Sequence, residues 1–326
     1  MAYRFKLDES LTRGVRRIGL SQLELAETRL KSASDPAVAV HEVRKSLKRL
    51  RALLRLVRPG LDDKVYRREN EQLRDAGRML SAARDMDVLR QTLAKLETSL
   101  AGNDRASIPR LRAMLDGNGA DRPNGSTAAD MRRARAALAA AKKRFARLKV
   151  EPEGFAPLEE GLRKSYRAGK RALARAAAEA DEEAFHDVRK AVQQHWRQML
   201  LLSRAWPEMC KARATAAREV AQLLGEEHDY AILAEFIAAQ RGGSIPEHDV
   251  EMLERACRAH QRELRLQAMP RVKRLFADGA GRFARQVASC WAAAQELDRL
   301  EEVAKKADGR ADAPAPVSAE KRSPAL

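Results

Sequence analysis

Residues 37–57 read Ala-Val-Ala-Val-His-Glu-Val-Arg-Lys-Ser-Leu-Lys-Arg-Leu-Arg-Ala-Leu-Leu-Arg-Leu-Val, and Arg58-Pro59-Gly60 follows. Turned at about 100° per residue, Val43, Leu47, Leu50, Leu54 and Val57 share one face, the spacing of an α-helix laid on a core. Beside that face His41, Arg44, Lys48, Arg51, Arg55 and Arg58 fall within an arc of roughly 100°. Segment 41–58 holds seven Lys/Arg and one acid, Glu42. A solvated helix face usually mixes both signs, because like charges at i,i+4 repel by about a few tenths of a kcal/mol each. Here like charges stack without interruption, so the stripe calls for an anion to offset it.

The rest of the chain follows the same period. The 326 residues are rich in Ala, Leu, Glu, Lys and Arg, aromatic residues make up only 4%, and β-branched residues are sparse. All five dominant residues favour helix, so the fold class is all-α, with no convincing strand. Helices are expected at about 8–31, 37–57, 62–81, 86–101, 129–149, 157–179, 182–205, 211–224, 229–240, 247–268 and 271–298. Asp35-Pro36, Arg58-Pro59-Gly60, Trp206-Pro207 and Gly242-Gly243 punctuate them. Residues 116–128 read as a flexible, exposed loop. The tail 306–326, rich in Ala, Pro, Ser and charge, reads as disordered.

Three motifs recur in order. Leu11-x-x-Gly14-Val15-Arg16-Arg17 returns as Leu158-x-x-Gly161-Leu162-Arg163-Lys164, and His41-x-Val43-Arg44-Lys45 returns as His186-x-Val188-Arg189-Lys190. Arg84-Asp85-x-x-Val88-Leu89 returns as His228-Asp229-x-x-Ile232-Leu233. The offsets are nearly constant and far too long for a solenoid. They predict an internal duplication: two pseudo-symmetric helical bundles, 1–150 and 151–305, enclosing a basic central groove or pore.

The second copy repeats the stripe more weakly. His186, Lys190, Gln193, Arg197 and Arg204 share a face with Arg189 at its edge, while Val192, Trp196 and Met199 form the apolar side. Gln193 stands where the first copy has Lys48. Arg16, Arg163, Arg167 and Lys170 occupy matching helices of the two halves, and Arg67, Arg74 and Arg78 share a face of the third helix. Arginine forks and lysine point charges both bind phosphate oxygens, and low-dielectric walls would focus their field on a flexible polyanion. A lone histidine near a helix start is usually structural, but His41 and His186 hold equivalent positions on the stripes, which favours a ligand-facing role. Asp85 and Asp229 read as N-caps of the helices after them. His228-Asp229 superficially matches the dipeptide of metal phosphohydrolases, without further histidines at ligand spacing. The sequence carries no nucleophile motif, glycine-rich phosphate loop or HExxH. Neither a metal nor a cofactor is expected.

The balance of 63 Lys+Arg against 46 Asp+Glu gives +17. Such a charge suits nucleic acid, an anionic surface or another polyanion; a basic face that serves only solubility is the bland alternative. Few aromatics for base stacking and no recognisable nucleic-acid motif make nucleic acid the less favoured partner. Cys210, Cys257 and Cys290 are isolated, which argues against a disulfide framework or zinc site and fits a reducing cytoplasm. Residues 1–10 lack the apolar core of a signal peptide. No stretch approaches the roughly 18 apolar residues of a membrane span.

The run His41-Glu-Val-Arg44-Lys45-Ser-Leu-Lys48-Arg49-Leu-Arg51 resembles the hallmark of the CHAD domain, the conserved histidine α-helical domain. Phe185-His186-Asp-Val-Arg189-Lys190 through His195-Trp196-Arg197 is similar to that family's second-half motif. Arg67-Arg68-Glu69-Asn70-x-x-Leu73-Arg74-Asp75 and Leu224-Gly225-x-x-His228-Asp229 also fit, so the likeness spans roughly 3–300. The resemblance implies two four-helix-type bundles about a basic pore and non-enzymatic binding of inorganic polyphosphate. It further implies association with polyphosphate granules and a functional link to triphosphate tunnel enzymes of the CYTH type. It brings Lys45 and Arg49 into the candidate binding set beside the stripe residues.

Overall fold

The computed structural model of the chain describes residues 3–32, 36–80, 82–120 and 128–311. These residues form α1 (Leu11–Ser32), α2 (Pro36–Val57), α3 (Asp63–Met79), α4 (Ala82–Ser99), α5 (Ile108–Ala120) and α6 (Ala128–Phe145). The second part contains α7 (Ala156–Glu179), α8 (Glu182–Leu201), α9 (Pro207–Ala238), α10 (Glu247–Leu275) and α11 (Ala280–Ala311). Two short 3-10 turns, at Arg58–Gly60 and Gly102–Arg105, complete the described residues, which contain no strand. The all-α expectation holds.

Helix ends follow local chemistry. The Asp62 carboxylate accepts from the Lys64 and Val65 amides at 2.9 and 3.0 Å and starts α3. Asp181 does the same for the Ala184 amide at 2.7 Å at the head of α8, each satisfying donors that a helix start leaves open. α7 and α9 open with proline in the first turn, where its missing N–H costs nothing.

Six expectations are corrected. The chain does not break at 225–228: α9 runs unbroken through Gly225 and His228. Asp229 therefore lies inside a helix and caps nothing. Asp85 likewise falls inside α4. α10 continues through Pro270 to Leu275. The helix bond that proline gives up is the one to the carbonyl of Leu266, a residue on the exposed side of the helix. α5 occupies 108–120 where no helix was expected, so 116–120 of the proposed loop are helical. Ile108, Leu111 and Leu115, spaced along one face, are fully buried, and that burial outweighs the glycines that suggest a loop. α11 reaches Ala311, so 306–311 are helical as well. The remainder of the loop, 121–127, and the tail 312–326 lie outside the described residues.

α1, α2, α3 and α6 pack as a ring, α1 on α2 and α6, α3 on α2 and α6. α7 packs on α8 and α11, α8 on α9, and α9 on α10. Every expected core residue of α2, namely Val43, Leu47, Leu50, Leu54 and Val57, is buried. The helix is buried more widely than one stripe, because Ala52, Leu53 and Leu56 are enclosed too. α7 and α8 provide that second cover. An added Cβ on Gly161 of α7 would lie 1.7 Å from the Leu56 carbonyl oxygen, so only glycine lets the two backbones meet. The Gln194 amide of α8 donates to the Ala52 carbonyl at 3.1 Å.

Buried apolar side chains form two clusters. The larger joins α1–α3 and α6–α8 with α9 up to Leu224, α10 from Ala268 and α11. The smaller joins α4 and α5 with α9 from Tyr230 and α10 up to Cys257. α9 and α10 therefore cross from one cluster to the other. At the crossing, buried Glu227 accepts from Arg265 at 2.8 Å and from Gln261 at 3.4 Å.

Candidate anion-binding site

Lys48 sits at the centre of the α2 stripe. Its side chain is solvent-accessible, yet its pKa is pushed down to about 8, first by desolvation and then by Arg197, Arg189 and Arg44. Asp229 of α9 opposes the shift. Lys48 thus keeps contact with solvent while protein and the cations of α2 and α8 surround it. Arg44 donates to the Gly77 carbonyl of α3 at 3.2 Å, which fixes its stem while its charge still acts on Lys48.

Two turns along α2, Arg51 donates to the Asn70 side-chain oxygen at 3.1 Å. Its pKa falls to about 10, by desolvation and then by Arg55, Arg74 and Arg78. Arg197 of α8 is buried, with its pKa also lowered to about 10 by desolvation and by Arg49 and Arg55. It donates to the Gln193 carbonyl at 2.8 Å and lies 5.0 Å from the Trp196 ring. Mutual fields thus link Arg74 and Arg78 of α3, Arg51, Arg55, Lys48 and Arg44 of α2, and Arg197 and Arg189 of α8. Guanidinium and ammonium groups from three helices, which repel one another, are held together by the packing of their stems.

The histidines extend this group onto α9. His186 and His228 face each other with ring centroids 5.3 Å apart. His186 Nδ1 is buried without a hydrogen-bond partner. Desolvation, Lys190 and Arg189 lower the His186 pKa; desolvation, Arg189 and His186 push that of His228 down to about 4. Both rings are therefore neutral near pH 7. His41 is exposed on the first turns of α2. The sequence reading missed His228 as a site residue because its motif was taken for a helix junction. Its place opposite His186 depends on the unbroken α9; the sequence signals for it are its match to Arg84 in the first half and the fit of Leu224-Gly225-x-x-His228-Asp229 to the family pattern.

Other candidates have separate partners. Lys45 pairs with Glu42 at 3.4 Å and Lys190 with Asp187 at 3.0 Å. Arg16 donates to the Leu148 carbonyl at 2.6 Å beyond the end of α6. Lys170 donates to the Phe276 and Asp278 carbonyls at 3.1 and 2.9 Å beyond the end of α10. Arg163 forks onto Glu160 at 2.6 and 2.7 Å. Arg49 reaches Gln22 at 3.3 Å and lies 5.3 Å from the Tyr3 ring. Arg167 is exposed on α7, and Arg204 lines a different cleft, with Arg4 and Arg218. Asp75 lies beside both Arg74 and Arg78, at 3.1 and 3.9 Å, in a setting exposed enough to weaken the pairs.

No group of three or more His, Cys, Asp or Glu side chains among the described residues is disposed to hold a metal ion. No helix among them is long and apolar enough to cross a membrane. The free thiols of Cys210 and Cys257 are buried, and desolvation pushes their pKa values up to about 11 and about 12, which makes them poor nucleophiles.

Fold and site together describe a helical protein in which cationic side chains of α2, α3 and α8 act on one another around Lys48. The family model of the CHAD domain matches residues 17–238, and the chain belongs to the CHAD domain family. The crystal structure of the CHAD domain from the plant Ricinus communis is similar, with a TM-score of 0.59 at 17% sequence identity, over 85% of this chain and 95% of that one. At that identity the likeness is one of fold. No curated protein matches the chain.

Proposed function

We propose that the protein binds inorganic polyphosphate, without chemistry on it, in the cationic concavity centred on Lys48. The observation that carries this reading is the state of Lys48: accessible to water, and held near pKa 8 by surrounding protein and by three arginines. Such a site is strained without an anion and relieved by one. Polyphosphate offers closely spaced negative oxygens on a flexible chain, which several helices can grip at once. The family's association with polyphosphate supports the same ligand.

In this reading the two duplicated halves enclose a basic central groove, lined by His41, Arg44, Lys48, Arg51 and Arg55 from the first and by His186, Arg189 and Arg197 from the second. Arg74 and Arg78 extend it along α3. Gln193 leaves the second half with fewer charges, so the first dominates affinity. With no metal-binding carboxylate cluster among the described residues of the kind that phosphoryl transfer usually employs, the protein acts as a binding module that brings itself to polyphosphate granules.

The test is a competition assay at about physiological ionic strength. Labelled long-chain polyphosphate is offered to the wild type and to a variant with His41, Arg44 and Lys48 changed to alanine, with duplex DNA and single-stranded RNA as competitors. Tight binding that resists both nucleic acids and is lost in the variant supports the proposal. Displacement by DNA or RNA at equal charge concentration replaces it with a general polyanion surface.

A further inference from the structure

Arg4, Arg204, Lys211 and Arg218 rim a second cleft of about 380 Å³, floored by apolar side chains that include Trp196 and Met199. No Asp or Glu lines it. No carboxylate within the cleft therefore offsets the four cations. Pro207 and Cys210 bring the head of the 32-residue helix α9 to the same cleft, and the positive end of its dipole adds to the field. This is an apolar slot that selects for negative charge at its edges.

The end of α11 has the opposite character. Leu297, Leu300 and Val303 are 62, 61 and 65% exposed, and their spacing of three places them on one face. Residues 296–302, around these three side chains, carry Glu296, Asp298, Glu301 and Glu302 against Arg299, with Lys305 and Lys306 following beyond Val303. Three large aliphatic side chains in a row on one solvent-facing helix mark an interaction surface.

Cleft and stripe lie close together on the molecule. Cys290 of α11 adjoins Cys210 in the cleft, and Gln295 donates to the Leu7 carbonyl at 2.8 Å, three residues from Arg4. We propose that the protein forms a two-fold dimer in which the α11 end of each copy, through Leu297, Leu300 and Val303, occupies the Arg204–Lys211–Arg218 cleft of the other. A two-fold uses the contact twice, which brings a helix-in-cleft contact toward the roughly 1,000 Å² typical of specific interfaces. The net charge of +17 works against self-association. At physiological ionic strength its long-range part is screened beyond about 8 Å, so the local complementarity of acidic stripe and basic cleft decides. The dimer is independent of polyphosphate binding.

The test is sedimentation velocity on the full chain up to about 100 µM, with circular dichroism as a check on folding. The wild type is expected to sediment as a dimer. A cleft variant, Lys211→Glu with Arg218→Glu, and a stripe variant, Glu296→Lys with Glu302→Lys, should each be monomeric and fully helical. Leu300→Asp should weaken association at least tenfold. Mixed in equal amounts, the two charge-reversed variants should dimerise with each other, since one contact then pairs the negative cleft with the positive stripe and the other is the unaltered contact. A monomeric wild type overturns the proposal, as does a wild type whose cleft takes an aliphatic carboxylate instead of a second copy. So does a dimer indifferent to both reversals, or a mixture that stays monomeric. All variants should keep polyphosphate binding, which separates this test from that of the proposed function.

Discussion

Lys48 has opposite effects on stability and on ligand affinity. Its folded pKa, about 8, lies below its ordinary 10.5. Between those values the unfolded chain holds more protons, so stability rises as pH rises through about 8 toward 10.5. A bound polyanion reverses the cause of the shift and draws the proton back, so affinity falls over the same range. Polyphosphate titrations between pH 7 and 9 should show this loss, and Lys48→Arg, charged throughout, should flatten it. A rise in affinity on acidification below pH 7 is expected from His186 and His228, which are neutral when free and favoured as cations beside phosphate; a double His→Gln variant should remove it. The helical wheel sets Lys48, Arg44, Arg51 and Arg55 on one arc, and Lys48 feels Arg44 as Arg51 feels Arg55, because angle about an axis is a local property. It could not tell them from Arg16, Lys170 or Arg49, since an angle does not reveal which carbonyl or carboxylate is within reach.

Among the elements, the α2–α7 contact is the most exacting. Gly14 and Gly161 occupy matching motifs, but their surroundings differ. A Cβ on Gly14 would meet the Phe5 ring edge at 2.7 Å, whereas on Gly161 it would meet the Leu56 backbone. A ring can turn, but a helix backbone cannot give way locally. Gly161→Ala should therefore cost about 3 kcal/mol or more, and Gly14→Ala clearly less, as urea denaturation of the two variants would measure. The motif match pairs the two glycines in sequence, while the difference between them comes from packing. The same holds for helix continuity. Gly225 and Pro270 are breakers by local propensity, yet both stand inside helices because flanking residues such as Leu224, Tyr230, Ala268 and Val272 are buried. α5 was hidden for the converse reason: its apolar residues are few, and their partners, Leu89 and Leu93 among them, belong to the second cluster.

At the scale of the molecule, the cationic concavity should behave as a polyelectrolyte receptor. The logarithm of affinity should fall linearly with the logarithm of salt concentration, each cation in contact with the ligand contributing about 0.7 to the slope if polyphosphate behaves as single-stranded nucleic acid does. Arg55→Ala and Arg197→Ala should each lower the slope by about that amount, whereas Lys190→Ala, paired with Asp187, should leave it nearly unchanged. The recurring motifs predict a two-part architecture. They gave no sign of the smaller apolar cluster, where α4 and α5 of the first half share a core with α9 and α10 of the second.

That sharing bears on how the protein comes apart. α9 measures roughly 48 Å at the standard rise per residue, and with α10 it contributes side chains to both clusters without a break. Neither cluster can lose its packing while these two helices persist intact, and neither helix can melt in one cluster without stranding the Glu227–Arg265 pair at the crossing. Two cores bound by common struts should therefore act as a single cooperative unit. A lone calorimetric transition would follow, and the backbone amides around Glu227 and His228, although they border an open cationic site, should exchange with deuterium as slowly as those of the buried centre.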